Sequence, residues 1–236
     1  MNEEILAELE KMDLNSNIIQ EEAVTFEKRY KGTNWERFAS GAIDEKKQEN
    51  RYFYLGALFI IQALTSLCST AIQEISKILD QAILKPPVLR ELQWSRIQFG
   101  ISHELLDSYV AYKIFFSNIE CSPVRQITKE DIDARSDYFE MKFKDKEMPE
   151  VISIVINDIE RRRQESKDFY RGSLRMLMTY QMLFNINTKL FLIISQGEMI
   201  DKNMQDNILR IIKTTHQHIY AIEAYLSYKI KYSKVK

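Results

Sequence analysis

The chain is short of chain breakers: 6 glycines and 4 prolines in 236 residues. Sheets reverse direction every few residues, and their turns consume glycine, proline, asparagine and aspartate. A sequence this poor in both cannot build many hairpins. Long helices need few breaks, so the predicted class is all-α. Cysteine is scarce too. Cys68 lies in an apolar run and Cys121 in a short loop, and two such residues make neither a disulfide framework nor a zinc-ligand pattern. Charge of one sign is also missing. A formal net charge of −1 lacks the basic surplus that a dedicated nucleic-acid or anionic-membrane surface leaves. The start, Met1-Asn2-Glu3-Glu4, has no basic-then-apolar leader pattern, so the expected location is cytoplasmic. No Gly-rich phosphate loop, Gly-x-Ser-x-Gly elbow, Cys-x-x-Cys or His-Glu-x-x-His occurs. The common nucleotide-dependent and hydrolytic chemistries lose their residues with them, and no cofactor is implied.

What is present is a core. The composition is 45% hydrophobic and 28% charged, ordinary for a packed globular chain and unlike a disordered one. Break signals fall between stretches of helical periodicity. The first stretch, 3–30, places Ile19, Ala23, Phe26 and Tyr30 on one face, with a nick at Asn15-Ser16 and Gly32 as its end. Thr33-Asn34-Trp35-Glu36 reads as a capping box, and Ser40-Gly41 breaks the short turn that follows. A long helix is expected over 44–84, stopped by Pro86-Pro87, and another over 87–119. Pro123 marks a loop. Thr128 caps a helix to 143, Pro149 opens one that bends at Gly172 and stops at Gly197, and Asp201 caps the last, to 232. No internal repeat or long linker is read. The prediction is one all-helical domain over 1–236, a bundle of six or seven helices with several long ones. Residues 1–43 stand as its candidate peripheral arm.

Residues 52–73 carry no charge, a length that could span a bilayer. Their apolar residues, from Phe53 through Ile60, Leu64 and Leu67 to Ile75 and Leu79, form one stripe. Gln62, Ser66, Ser69, Gln73 and Asp80 lie opposite. An amphipathic pattern that continues into charged sequence describes a core helix of a soluble protein, not a membrane span.

The helix at 87–119 carries the candidate site. Trp94, Ile97, Ile101, Leu105, Tyr109, Tyr112, Phe115, Phe116 and Ile119 share one face, and Leu89, Leu92, Phe99, Leu106, Val110 and Ile114 the other. A helix apolar on two sides belongs at the centre of the bundle. Arg96, His103 and Asp107 lie nearly in line on the second face beside Gly100. There they form either an interior polar pocket, with His103 as base or ligand contact, or a buried ion-pair network. Gln181, Asn185 and Lys189 recur once per turn on a later helix, and either complete that pocket or face water. A metal is not expected: no Glu-x-x-His occurs, and His216 and His218 point in different directions on a helix. Arg210 also points away from the apolar stripe that His216 borders, so the two form no constellation. Residues 157–167, with Arg161, Arg162 and Arg163, read as a solvated face or a segment reaching a partner. Lys229, Lys231, Lys234 and Lys236, interleaved with tyrosines, are either a solvated helix end or a weak nucleic-acid surface.

Three functional expectations follow. The first is a non-enzymatic helical interaction or regulatory module that self-associates, since catalytic motifs are missing while 12 Tyr and 12 Phe are present. The second is a ligand-binding or catalytic bundle around Arg96, His103 and Asp107. The third is RNA binding or cleavage through the basic C-terminal helix.

Overall fold

The computed structural model describes residues 3–44, 51–81, 84–116, 128–146, 150–162, 167–196 and 201–232. These residues form helices and no strand, so the fold is all-α. In chain order the helices are α1 (Glu3–Lys11), α2 (Ser16–Arg29), α3 (Asn34–Ile43), α4 (Arg51–Gln81), α5 (Pro86–Phe115), α6 (Lys129–Lys142), α7 (Glu150–Arg162), α8 (Lys167–Gln196) and α9 (Lys202–Tyr232). Among the described residues none is long and apolar enough to cross a membrane.

Among the described residues nine helices stand where six or seven were expected. The first stretch divides at Asp13, whose φ of 58° ends α1, and the Asn15 side chain accepts from the backbone of Asn17 and Ile18 to start α2. The described residues 150–162 and 167–196 are helical as α7 and α8. Several other local signals act as read, while Pro123, Pro149 and Gly197 lie outside the described residues. Gly32 takes the left-handed φ of 77°, Thr33 accepts from Trp35 N–H, and Glu36 accepts from Gly32 N–H at 2.6 Å. Thr128 and Asp131 close a reciprocal capping box, and Pro86 and Pro87 fill the first turn of α5. Asp44 differs from expectation. It does not open a long helix but ends α3, which runs through Gly41.

The long helices pack as α5–α4–α8–α9, with α2 on α5 and α6 on α9. One set of buried side chains draws on all nine helices, including Leu9, Phe26 and Ile43 from the N-terminal three. Its thickest part lies at one end of the long helices, where 53–61, 172–180 and 221–227 are buried on every side. At the other end Ile75, Ile78, Leu92, Ile194 and Ile208 form a small second cluster. This explains why α4 reads as apolar over its first turns and amphipathic afterwards: its first turns lie in the thick part of the core, while Gln62, Thr65 and Ser69 further on are exposed.

The helices repeat, which corrects the expectation of no internal repeat. Advancing 116 residues carries Phe53, Tyr54, Gly56 and Leu58 of α4 onto Phe169, Tyr170, Gly172 and Leu174 of α8. It also carries Asp107, Tyr109, Tyr112, Lys113 and Ile114 of α5 onto Glu223, Tyr225, Tyr228, Lys229 and Ile230 of α9. With a shift of 113, Ile19, Phe26, Glu27 and Lys31 fall on Ile132, Phe139, Glu140 and Lys144. The contacts repeat with the residues. Lys31 pairs with Glu27 at 3.2 Å and Lys144 with Glu140 at 3.0 Å. Lys31 stands 5.3 Å from the Tyr112 ring and Lys144 5.4 Å from the Tyr228 ring. Phe26 and Phe139 each lie 5.1 Å from those same two tyrosines. The chain is therefore a tandem duplication, α2–α5 and α6–α9.

The two halves meet where α4 crosses α8, and there the glycines are indispensable. A Cβ on Gly56 would lie 1.9 Å from Phe169 O, and one on Gly172 would lie 1.7 Å from Phe53 O. Each glycine admits the carbonyl three residues before its counterpart, so the helices cross in parallel and near-symmetrically. Ser173 Oγ donates to Gly56 O at 3.0 Å across the same contact. Gly172, expected as a bend, is a point of backbone contact inside α8.

Candidate functional site

The three aligned residues of α5 address three different helices. Arg96 is exposed and reaches Ser76 Oγ on α4 at 3.4 Å. His103 is half-buried, its Nδ1 2.5 Å from the buried Tyr180 hydroxyl on α8, and burial lowers its pKa. Asp107 faces α2, where burial first and the Glu22 charge second raise its pKa to about 7. Among the described residues neither His103 nor Arg96 pairs with Asp107. Asn185 and Lys189 are exposed and Gln181 half-buried, so they do not join these groups. At the C-terminus Lys229 pairs with Glu160 at 3.3 Å, and Lys231 with Asp137 at 2.8 Å and Asp133 at 3.5 Å. Lys234, Lys236 and Cys121 lie outside the described residues, as does the side chain of Cys68. Arg161 pairs with Asp158 at 2.9 Å, while Ile156 and Ile159 of the same helix are buried. Arg210 reaches Asn207 and His216 reaches Thr188.

Comparing the halves reveals a polar cluster that single-helix periodicity missed. Asp44 is 2% exposed and accepts from Ser40 Oγ at 3.0 Å, Tyr54 OH at 2.8 Å and Tyr109 OH at 2.6 Å. Lys113, 1% exposed, stands 5.3 Å from the Tyr54 ring. At the matching positions, Glu160 accepts from Tyr170 OH at 3.4 Å, from Tyr225 OH and from Lys229 Nζ. Each carboxyl group ties the short helix of its half to both long ones. Two tyrosine donors on a buried acceptor are worth about 1.5–3 kcal/mol each when the acceptor is charged. Tyr109→Phe is expected to lower stability by about that amount in urea unfolding, and Tyr225→Phe by less, because Glu160 is more open to solvent. Equal losses would deny the difference in burial.

A second repeated pair is the acid two residues before Tyr109 and Tyr225. Glu223 is fully buried, and its carboxyl oxygens have no hydrogen bond among the described residues. Arg135 Nε stands 3.6 Å away. Burial raises its pKa to about 7, with Arg135 opposing. The opposing residue thus differs between halves: Glu22 near Asp107, Arg135 beside Glu223. Both acids stand on buried helix–helix contacts.

One open feature among the described residues is apolar. A cleft of about 240 Å³ between α3, α5 and α8 is lined by Trp35, Phe38, Trp94, Ile101 and Leu183, with Ser95, Gln98 and Ser102 among its polar lining. Trp35 and Phe38 are 46% exposed, Trp94 57% and Ile97 46%. Both tryptophans of the chain therefore stand in water beside one cleft. The sequence reading placed Trp94 and Ile97 on a buried face; in fact α5 is enclosed over 105–114 apart from Asp107 and one-sided before that. Among the described residues no group of three metal-ligating side chains occurs. Comparison with family models, curated proteins and solved structures returns no match.

Proposed function

We propose that this protein is a non-enzymatic helical association module, self-associating, that works through the aromatic cleft of its first half. The observation that carries the reading is internal. At the positions of α9 equivalent to Trp94, Ile97 and Ile101 stand Arg210, Lys213 and Gln217. The duplicated fold therefore does not require an apolar residue there, and the second half shows the solvated version of the same face. Apolar side chains that folding does not bury and does not need mark an interaction surface. The alternatives draw less support. Arg96, His103 and Asp107 do not converge, and Lys229 and Lys231 are held by carboxylates. The cytoplasmic location expected from the sequence remains part of this proposal.

Light scattering over a concentration series tests it. The expected mass rises above that of one chain, with a blue shift of tryptophan emission as the cleft dries, since both tryptophans sit there. Trp94→Ala is expected to weaken association at least tenfold without changing helix content. A chain that stays monomeric at every concentration, its emission unmoved, would falsify the reading.

A further inference from the structure

Resting on that reading, we infer that the occupant of the cleft is a second copy of this chain, docked through an antiparallel contact of α5 with α5 about a two-fold axis at Ile97. At about 100° per residue, Arg90, Trp94, Ile97, Ile101 and Glu104 share one stripe of α5, with Gly100 at its edge. Two such stripes laid antiparallel about Ile97 bring residues together whose numbers sum to about 194. Ile97 meets Ile97, Trp94 meets Ile101, and Arg90 meets Glu104, while Gly100 lies along the other edge of the contact.

Each of these meetings has a match on the surface. A Cβ on Gly100 would touch nothing within 4 Å, so the stripe has a gap at its edge that lets the partner helix approach closely. Beside that gap opens the cleft wall formed by Ile101 and Trp35. Arg90 is exposed and has no ion-pair partner among the described residues. Glu104 accepts from Arg29 at 2.6 Å and Tyr30 OH at 3.1 Å, both at Oε1, which leaves Oε2 for a guanidinium from the partner. The stripe is thus self-complementary in both shape and charge, as an isologous contact demands.

The area fits as well. Aromatic side chains present roughly 150–250 Å² each when fully exposed. About half of that at Trp35, Phe38 and Trp94, with a smaller share from Ile97, gives roughly 400 Å² of apolar surface per copy. Two copies, with the polar rim that accompanies such a core, reach roughly 1,300 Å², inside the range of specific interfaces. The half that lacks the stripe cannot form this contact, so association stops at two copies.

The test uses the full chain. Ile97→Cys is expected to cross-link into a disulfide dimer under mild oxidation, since the two-fold brings the same residue from each copy together. Ile154→Cys, still more exposed on α7, is expected to stay monomeric, with the unsubstituted chain as control for Cys68 and Cys121. Gly100→Lys fills open space in the single chain, so its thermal unfolding should be unchanged or higher, while dimer affinity drops at least tenfold. A dimer in light scattering that survives Gly100→Lys, or that leaves Ile97→Cys uncross-linked, overturns this face yet leaves self-association standing. A strict monomer removes both.

Discussion

Gly172→Ala is expected to cost about 3 kcal/mol or more, and Gly56→Ala nearly as much, while Gly100→Ala should stabilise by about 0.5–1 kcal/mol. The same added methyl group has opposite signs because of what it meets. At Gly172 it meets Phe53 O at 1.7 Å, and at Gly56 it meets Phe169 O at 1.9 Å. Those are backbone atoms of a helix held in the core, so no rotamer change relieves the clash, and α4 and α8 must move apart. Separation loosens Phe53, Phe59, Phe169 and Leu174 together, all essentially fully buried. At Gly100 the methyl meets nothing, and only the lower helix propensity of glycine is removed. Several kcal/mol is a large share of a typical domain's 5–15 kcal/mol, roughly. The double variant Gly56→Ala/Gly172→Ala should lose less than the sum, since one displacement serves both. Urea or thermal unfolding checks this. If Gly172→Ala proves as stable as the unsubstituted chain, the close crossing of the two halves is wrong.

The second large effect is a dependence on pH set by Asp107 and Glu223. Both have pKa values pushed up to about 7 by burial, against ordinary values of 3.8 and 4.5. Above its ordinary pKa the unfolded chain has released the proton that the folded chain still holds. Their contribution to stability is therefore complete below about pH 4, declines as pH rises, and is gone above about pH 7. The slope is about 1.4 kcal/mol per pH unit for each group. His103 acts in the other direction, because burial lowers its pKa and the unfolded chain takes up the extra proton as pH falls through the ordinary histidine value. Variants separate these contributions. Glu223→Gln stays neutral, so this variant should gain stability relative to the parent steadily from pH 5 to pH 7, by about 1.4 kcal/mol per pH unit, and then hold a constant lead. Asp107→Asn should do the same through the α2–α5 contact. A difference that does not change with pH would show that these acids are solvated in the folded chain.

Much of this architecture was legible locally, because helix caps and breakers act within one turn. Gly32, the two prolines at 86 and 87, and the Thr128 box ended and began helices where read. The duplication was also in the letters, in Phe53-Tyr54-x-Gly56 against Phe169-Tyr170-x-Gly172. It was obscured because its matches are common helix residues, and because the shift is 113 for the short helices α2 and α6 and 116 elsewhere. Asp44 was misplaced for a different reason. An acid at a helix boundary looks like an N-cap in sequence, and only the arrival of Tyr54 and Tyr109 from α4 and α5 makes it a buried acceptor.

By itself the sequence determined the class of structure, the positions of most helix ends and the absence of the familiar catalytic patterns, since each depends on neighbours along the chain. Which helices touch was decided only in three dimensions. That choice enclosed the second half of α5 while leaving Trp94 and Ile97 in water, turned Arg96, His103 and Asp107 toward three different partners, and set two glycines against two carbonyls. Periodicity gives the direction in which a side chain leaves its helix; what fills the space in that direction depends on packing between helices well separated along the chain.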